Sequence, residues 1–138
     1  MEHEFNVMRP RDATVHVARM RLKEVTLSKL KGMKKEIEPA ALRLSDAKVD
    51  VIGFGCTSGS LFLGLGHDQE IVTKIEKATG IPAVATAGAV VDALKALKLS
   101  RISVATPYTE EINPLEKRFL EKNGLVIQKM KGLGIKDN

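Results

Sequence analysis

Seven consecutive residues, Gly53-Phe54-Gly55-Cys56-Thr57-Ser58-Gly59, hold the densest chemistry in the chain. Glycines let a backbone turn tightly and come close to a ligand. A thiol beside two hydroxyls, among backbone N–H groups that one turn can point the same way, makes an anion-binding concavity. Such a concavity favours a thiolate and would hold a carboxylate or an oxyanion. The plainer alternative is that Cys56 is a small buried hydrophobe, as cysteine often is. Three familiar uses of a glycine-rich turn fail on spacing. A dinucleotide fingerprint needs G-x-G-x-x-G opening a helix; here the third glycine falls one place late, at Gly59, and a flexible Leu/Gly stretch is expected to follow. A phosphate loop of the G-x-x-x-x-G-K-S/T type is absent. A cysteine phosphatase would place an arginine six residues after the thiol, where Phe62 stands.

The second candidate is Tyr108, the one tyrosine, in Thr106-Pro107-Tyr108-Thr109. Its phenol can donate to a bound anion; the alternative is a packed ring with its hydroxyl in water. Asn113 is expected on the surface of the helix that follows. Arg19 and Arg21 are able to pair with a carboxylate, but the preferred reading leaves them solvated. His3, His16 and His67 show no metal spacing, and His67 reads as a solvated residue at a helix start.

These side chains need elements to position them. Ala13–Met20 alternates and is β-branched, which predicts a strand. From Ser28, a plausible N-cap, the apolar steps through Leu30, Met33, Ile37, Ala41 and Leu44 are helical, with Pro39 kinking that helix or beginning a second one capped by Glu38. Val49–Phe54 reads as a strand covered on both faces. A helix from about Asp68 should bury Ile71, Ile75 and Ala78 and stop at Gly80. Ile81–Ala85, Arg101–Ala105 and Leu125–Met130 read as further strands. Between them lie a helix capped by Thr86 and another capped by Thr109 that buries Ile112, Leu115, Phe119 and Leu120. Strand and helix alternate with short connections, the pattern of an α/β fold with a parallel sheet wrapped by helices on both faces. In such sheets ligands bind beyond the carboxyl ends of the strands. That rule selects the turns after Phe54 and Ala105.

Composition narrows the class further. The 138 residues are 43% hydrophobic and 28% charged, with one cysteine. This is one globular domain without a disulfide framework or a multi-cysteine zinc site, and it suits a reducing, cytoplasmic setting. No apolar stretch nears the roughly 20 residues that cross a bilayer, so no membrane role is expected. The net charge of +5 is spread over amphipathic helices, with no aromatics interleaved to stack bases. Nucleic-acid binding is therefore not expected.

Three stretches carry a family likeness: DVIGFGCTSGS at Asp50–Ser60, ATPYTEEIN at Ala105–Asn113 and the Gly132-Leu133-Gly134-Ile135 tail, with VHVARMRL at Val15–Leu22 alongside. They resemble the Asp/Glu racemase superfamily, and within it the maleate cis-trans isomerase and arylmalonate decarboxylase branch. The C-T-S-G-S loop with its thiol tilts the match toward maleate isomerase. The resemblance implies cofactor-independent chemistry on a small dicarboxylate. Cys56 would be the nucleophile that adds to the double bond, and bond rotation would turn maleate into fumarate. Thr57, Ser58 and Tyr108 match positions that bind the substrate carboxylate and stabilise the enediolate-like charge. A related racemase, an arylmalonate-type decarboxylase or a non-catalytic carboxylate-binding fragment are the alternatives. The family also implies two similar flavodoxin-like halves, each with a cysteine loop; a homo-oligomer is expected. On that comparison residues 1–108 are expected to form an N-terminal α/β domain lacking its first strand. Residues 109–138 then supply a helix and strand leading into an absent second α/β half.

Overall fold

Glycine and proline punctuate the chain into short elements. The computed structural model describes residues 2–137. In order these are α1 (Glu2–Met8), α2 (Leu27–Met33), α3 (Ile37–Asp46), β1 (Ile52–Phe54), α4 (Thr57–Leu61), α5 (His67–Thr79), β2 (Ala83–Ala85), α6 (Thr86–Ala96), β3 (Arg101–Thr106), α7 (Asn113–Lys122) and β4 (Val126–Gly132). The mixed α/β class with parallel strands holds. Helix α5 illustrates how local sequence writes an element. Ile71 and Ile75 recur on one face and are buried, and Gly80 closes the helix at φ 70°, a left-handed conformation that glycine adopts without strain. The helical run from Leu27 is two helices rather than one kinked one. Thr26, not Ser28, caps the first through a bond from the Lys29 N–H, and Glu36 sits at the N-cap of the second, with Pro39 in its first turn.

The strands form two separate parallel pairs, β1 with β2 and β3 with β4, where one continuous sheet was expected. Strands β1 and β2 contribute three residues each to their ladder before the chain turns into α4 and α6. So short a ladder offers few bonds with which to extend sideways. The expected strand at Ala13–Met20 has no regular structure and pairs with no strand among the described residues. Alternation alone does not make a strand: without a neighbour, its backbone groups are left to water. Between this segment and β1 runs a groove of about 1180 Å³, lined also by Met33, Ile37, Ala41 and Leu44. The stretch around β1 is accordingly covered on one face only, and Val51 is 59% and Val84 44% exposed.

Two apolar clusters hold the elements together. The larger joins Leu30, Met33, Ile37, Ile52, Phe54, Phe62, Ile71, Ile75 and Ile112. A second joins Leu61, Ala87, Val91, Phe119, Leu120 and Leu125. Each fully buried Leu, Ile or Phe among them stabilises the fold by roughly 1.5–3 kcal/mol. Helix α4 lies against α5, α6 and α7, which fixes the turn at its start relative to the rest of the molecule.

Candidate active site

Strand β1 runs directly into the cysteine turn. Cys56 is extended (φ −141°, ψ 104°) and occupies the N-cap of α4, where its sulfur accepts the Gly59 N–H at 3.3 Å. A short helix does open here, but it ends at Leu61, so most of the Leu/Gly stretch expected after Gly59 is indeed without helix. The sulfur satisfies one of the donors that a helix start leaves unpaired. The Ser58 hydroxyl lies 3.7 Å from the sulfur. Ser60 ties the turn down, its hydroxyl donating to the Cys56 and Thr57 carbonyls at 2.9 Å and accepting the Ala87 N–H at 3.0 Å. Thr86, expected as a cap for α6, is instead its first residue, and its hydroxyl donates to the Phe54 carbonyl at 2.8 Å. A glycine is required at position 59 for space. A Cβ there would sit 2.6 Å from the Met33 methyl carbon and 2.9 Å from the Cys56 sulfur.

The second turn is built differently. Helix α7 begins at Asn113, four residues after the expected cap Thr109, with Pro114 in its first turn, where a missing N–H costs nothing. Asn113, expected on the surface, is buried. Its Oδ1 accepts the Thr106 hydroxyl at 2.5 Å, and its Nδ2 donates to the Tyr108 carbonyl at 3.3 Å. Thr106 in turn accepts the Tyr108 N–H at 3.2 Å, and the Gly134 N–H donates to the Tyr108 carbonyl at 3.1 Å. At Gly132 any side chain would run into the Asn113 amide and the Tyr108 carbonyl.

The two turns meet. Tyr108 and Cys56 are both half-buried and pack against the larger core cluster. Burial pushes the Tyr108 phenol above its ordinary range, and the Glu116 carboxylate and the Cys56 sulfur push the same way. The Ser58 and Thr57 hydroxyls act in the opposite direction. All four expected site residues, Cys56, Thr57, Ser58 and Tyr108, therefore lie within electrostatic reach of one another. Sequence reasoning missed Glu116, whose carboxyl is held above the usual glutamate value by burial. Its helical position after Pro114 gave no hint that it faces inward. His67 also departs from expectation: it is buried, stands edge-on to Phe62 with ring centres 5.0 Å apart, and places Nδ1 3.2 Å from the Glu70 carboxylate. Arg19 is solvated, as expected, and pairs with Glu2 at 3.4 Å on the surface. Among the described residues, no cluster of three or more His, Cys, Asp or Glu is placed to hold a metal ion, and no helix is long and apolar enough to cross a membrane.

Fold and site together define an α/β protein of parallel strands that presents a thiol, three hydroxyls and their backbone donors beyond strand carboxyl ends. Comparison with known proteins agrees. Residues 5–138 match the family model described as arylmalonate decarboxylase, and the chain belongs to that family. A maleate isomerase of Pseudomonas putida is 35% identical over 136 residues, covering 95% of this chain and 54% of the relative. An arylmalonate decarboxylase of Bordetella bronchiseptica is 30% identical over 95 residues, 69% of this chain and 40% of that one. A crystal structure of a Pseudomonas putida maleate isomerase variant with maleate superposes with a TM-score of 0.89 at 31% identity, over 96% of this chain and 55% of its own. A Nocardia farcinica maleate cis-trans isomerase variant with a covalently bound succinylcysteine intermediate superposes with a TM-score of 0.88 at 28% identity, over 95% and 56%. The chain thus spans about half the length of the curated relatives it matches.

Proposed function

We propose that this chain carries the thiol-bearing part of a cis–trans isomerase acting on a small dicarboxylate of the maleate type. The observation that carries the reading is the meeting of Cys56, Thr57 and Ser58 with Tyr108, which comes from a turn some fifty residues further along. Cys56 as a thiolate adds to one carbon of the double bond. The electron pair of that bond moves onto the adjoining carboxylate, forming an enediolate. Thr57, Ser58 and Tyr108 donate to those oxygens, where the extra charge develops. The former double bond is now single and rotates. Collapse of the enediolate restores the double bond and expels the thiolate, giving the trans isomer with no net gain or loss of protons.

Incubating the protein with maleate and following fumarate by NMR tests this directly, together with a search by mass spectrometry for one maleate added at Cys56. Absence of both products overturns it. The family description favours a second reading, loss of carbon dioxide from an arylmalonate, which passes through the same kind of enediolate. Release of carbon dioxide from phenylmalonate, with maleate untouched, would select that reading instead.

A further inference from the structure

In the segment that follows β4, side chains and backbone behave differently. Leu133 is 70% and Ile135 46% exposed, and neither joins an apolar cluster. Their backbone is nonetheless engaged at every step. The Leu133 N–H donates to the Thr106 carbonyl at 3.0 Å, the Gly134 N–H to the Tyr108 carbonyl at 3.1 Å and the Ile135 N–H to the Pro107 carbonyl at 2.8 Å. Three successive amides thus hold the three successive carbonyls of the Tyr108 turn. The approach is close, since Gly132 has no room for a side chain against the Asn113 amide and the Tyr108 carbonyl. Further on, the Lys136 carbonyl accepts the Val25 N–H at 2.8 Å, and Asp137 forms an antiparallel bridge with Glu24. Val25 belongs to the larger core cluster and adjoins Thr26, the cap of α2. At the other end of α2, Met33 lies against Gly59 in the cysteine turn. One short segment is therefore fastened both to the turn that carries Tyr108 and to the helix that packs on the turn that carries Cys56.

We propose that residues 133–137 form a backbone strap that positions Tyr108 against the cysteine turn, with Leu133, Gly134 and Ile135 acting through their amides. Bonds to the carbonyls of Thr106, Pro107 and Tyr108 restrain the chain on both sides of the tyrosine Cα. That restraint limits the orientations open to the ring, which shares the larger core cluster with Cys56. A hold made by amides tolerates a change of side chain but not the loss of an N–H. The service of the strap to turnover rests on the isomerase reading, whereas its hold on Tyr108 does not.

The chain has one tyrosine and no tryptophan, so its fluorescence reports Tyr108 alone. Leu133→Pro removes an N–H and sets a ring carbon against the Thr106 carbonyl. Its tyrosine fluorescence is expected to be quenched by acrylamide about twofold more steeply than in wild type, with the far-ultraviolet circular dichroism kept. Leu133→Ala keeps the amide and is expected to match wild type. Unchanged quenching in Leu133→Pro, or an equal rise in both variants, overturns the proposal. Should Leu133→Pro fail to fold, hydrogen exchange in the wild-type protein decides. The amides of Leu133, Gly134 and Ile135 are expected to exchange about tenfold or more slowly than in a free peptide, and free-peptide rates at all three overturn the strap. Neither measurement uses maleate, so failure of the isomerase reading is seen separately, as absence of fumarate.

Discussion

The turn carrying Cys56 and the turn carrying Tyr108 each end a parallel strand, yet they are held by different means. Around Cys56 most bonds are local: Gly59 to the sulfur, and Ser60 back to the Cys56 and Thr57 carbonyls, within a span of five residues. Around Tyr108 the clamps are the Asn113 amide, close by in sequence, and the Gly134 N–H from far along the chain. The contrast is one of degree: the thiol is framed mainly by its immediate neighbours, with Thr86 and Ala87 anchoring the turn to α6, whereas the Tyr108 turn is closed by the end of β4. A nucleophile must keep one geometry, and a short closed network gives that cheaply in conformational entropy.

The largest effect expected is on chemistry at the local turn. Cys56→Ser should lower maleate-to-fumarate conversion by about a thousandfold or more, with little change in melting temperature. Turnover within tenfold of wild type would sink the nucleophile role. On the other turn, Tyr108→Phe removes one donor and keeps the ring. A fall of roughly a hundredfold in kcat is expected, again with the fold intact; an equal loss of both rate and stability would mean that the phenol is structural.

Two glycines sharpen the comparison by stability. Gly132→Ala meets a backbone carbonyl and a clamped amide, and should cost about 3 kcal/mol in denaturant unfolding. Gly59→Ala meets the movable end of Met33 and the Cys56 sulfur, and should cost about half as much. The reverse order would contradict the contrast between a packed turn and a local one. Asn113→Ala leaves the Thr106 hydroxyl and the Tyr108 carbonyl short of a partner, with an expected loss of about 1–3 kcal/mol. The smallest effect is pH-dependent. Burial raises the Glu116 carboxyl above the 4.5 of a free glutamate, so its protonated form is favoured by folding. That stability is complete below about pH 4.5 and is lost as pH rises through the higher folded value. Glu116→Gln should therefore gain on wild type in urea midpoints as pH rises above about 4.5. A gap that stays constant with pH would mean that the carboxyl is not desolvated.

Element types were largely legible because apolar spacing and turn residues act locally. Ile71, Ile75 and Gly80 outlined α5, and Arg101–Ala105 read as β3 to within one residue. The failures share a physical cause. Ala13–Met20 alternates like a strand, but pairing needs a partner that local sequence does not name. Asn113 and His67 are polar and read as solvated, yet Asn113 is buried on hydrogen bonds to Thr106 and Tyr108, and His67 on its Glu70 contact and Phe62 packing, with Nε2 unpaired among the described residues. Glu116 had no sequence signal at all, because its inward direction follows from how α7 packs on α4 and β4.

What the sequence alone determined is the cysteine turn: a strand ending in glycines, a thiol and two hydroxyls within seven residues, most of whose bonds are short-range and so are written in the local order of residue types. The α/β alternation around it is equally local in origin. Only the tertiary structure decided that Tyr108 comes within electrostatic reach of that thiol, that Glu116 turns a buried carboxylate oxygen inward, and that the strands fall into two pairs beside a groove. Those outcomes depend on long-range packing of helices and strands, where burial and pairing are settled by neighbours distant in the chain.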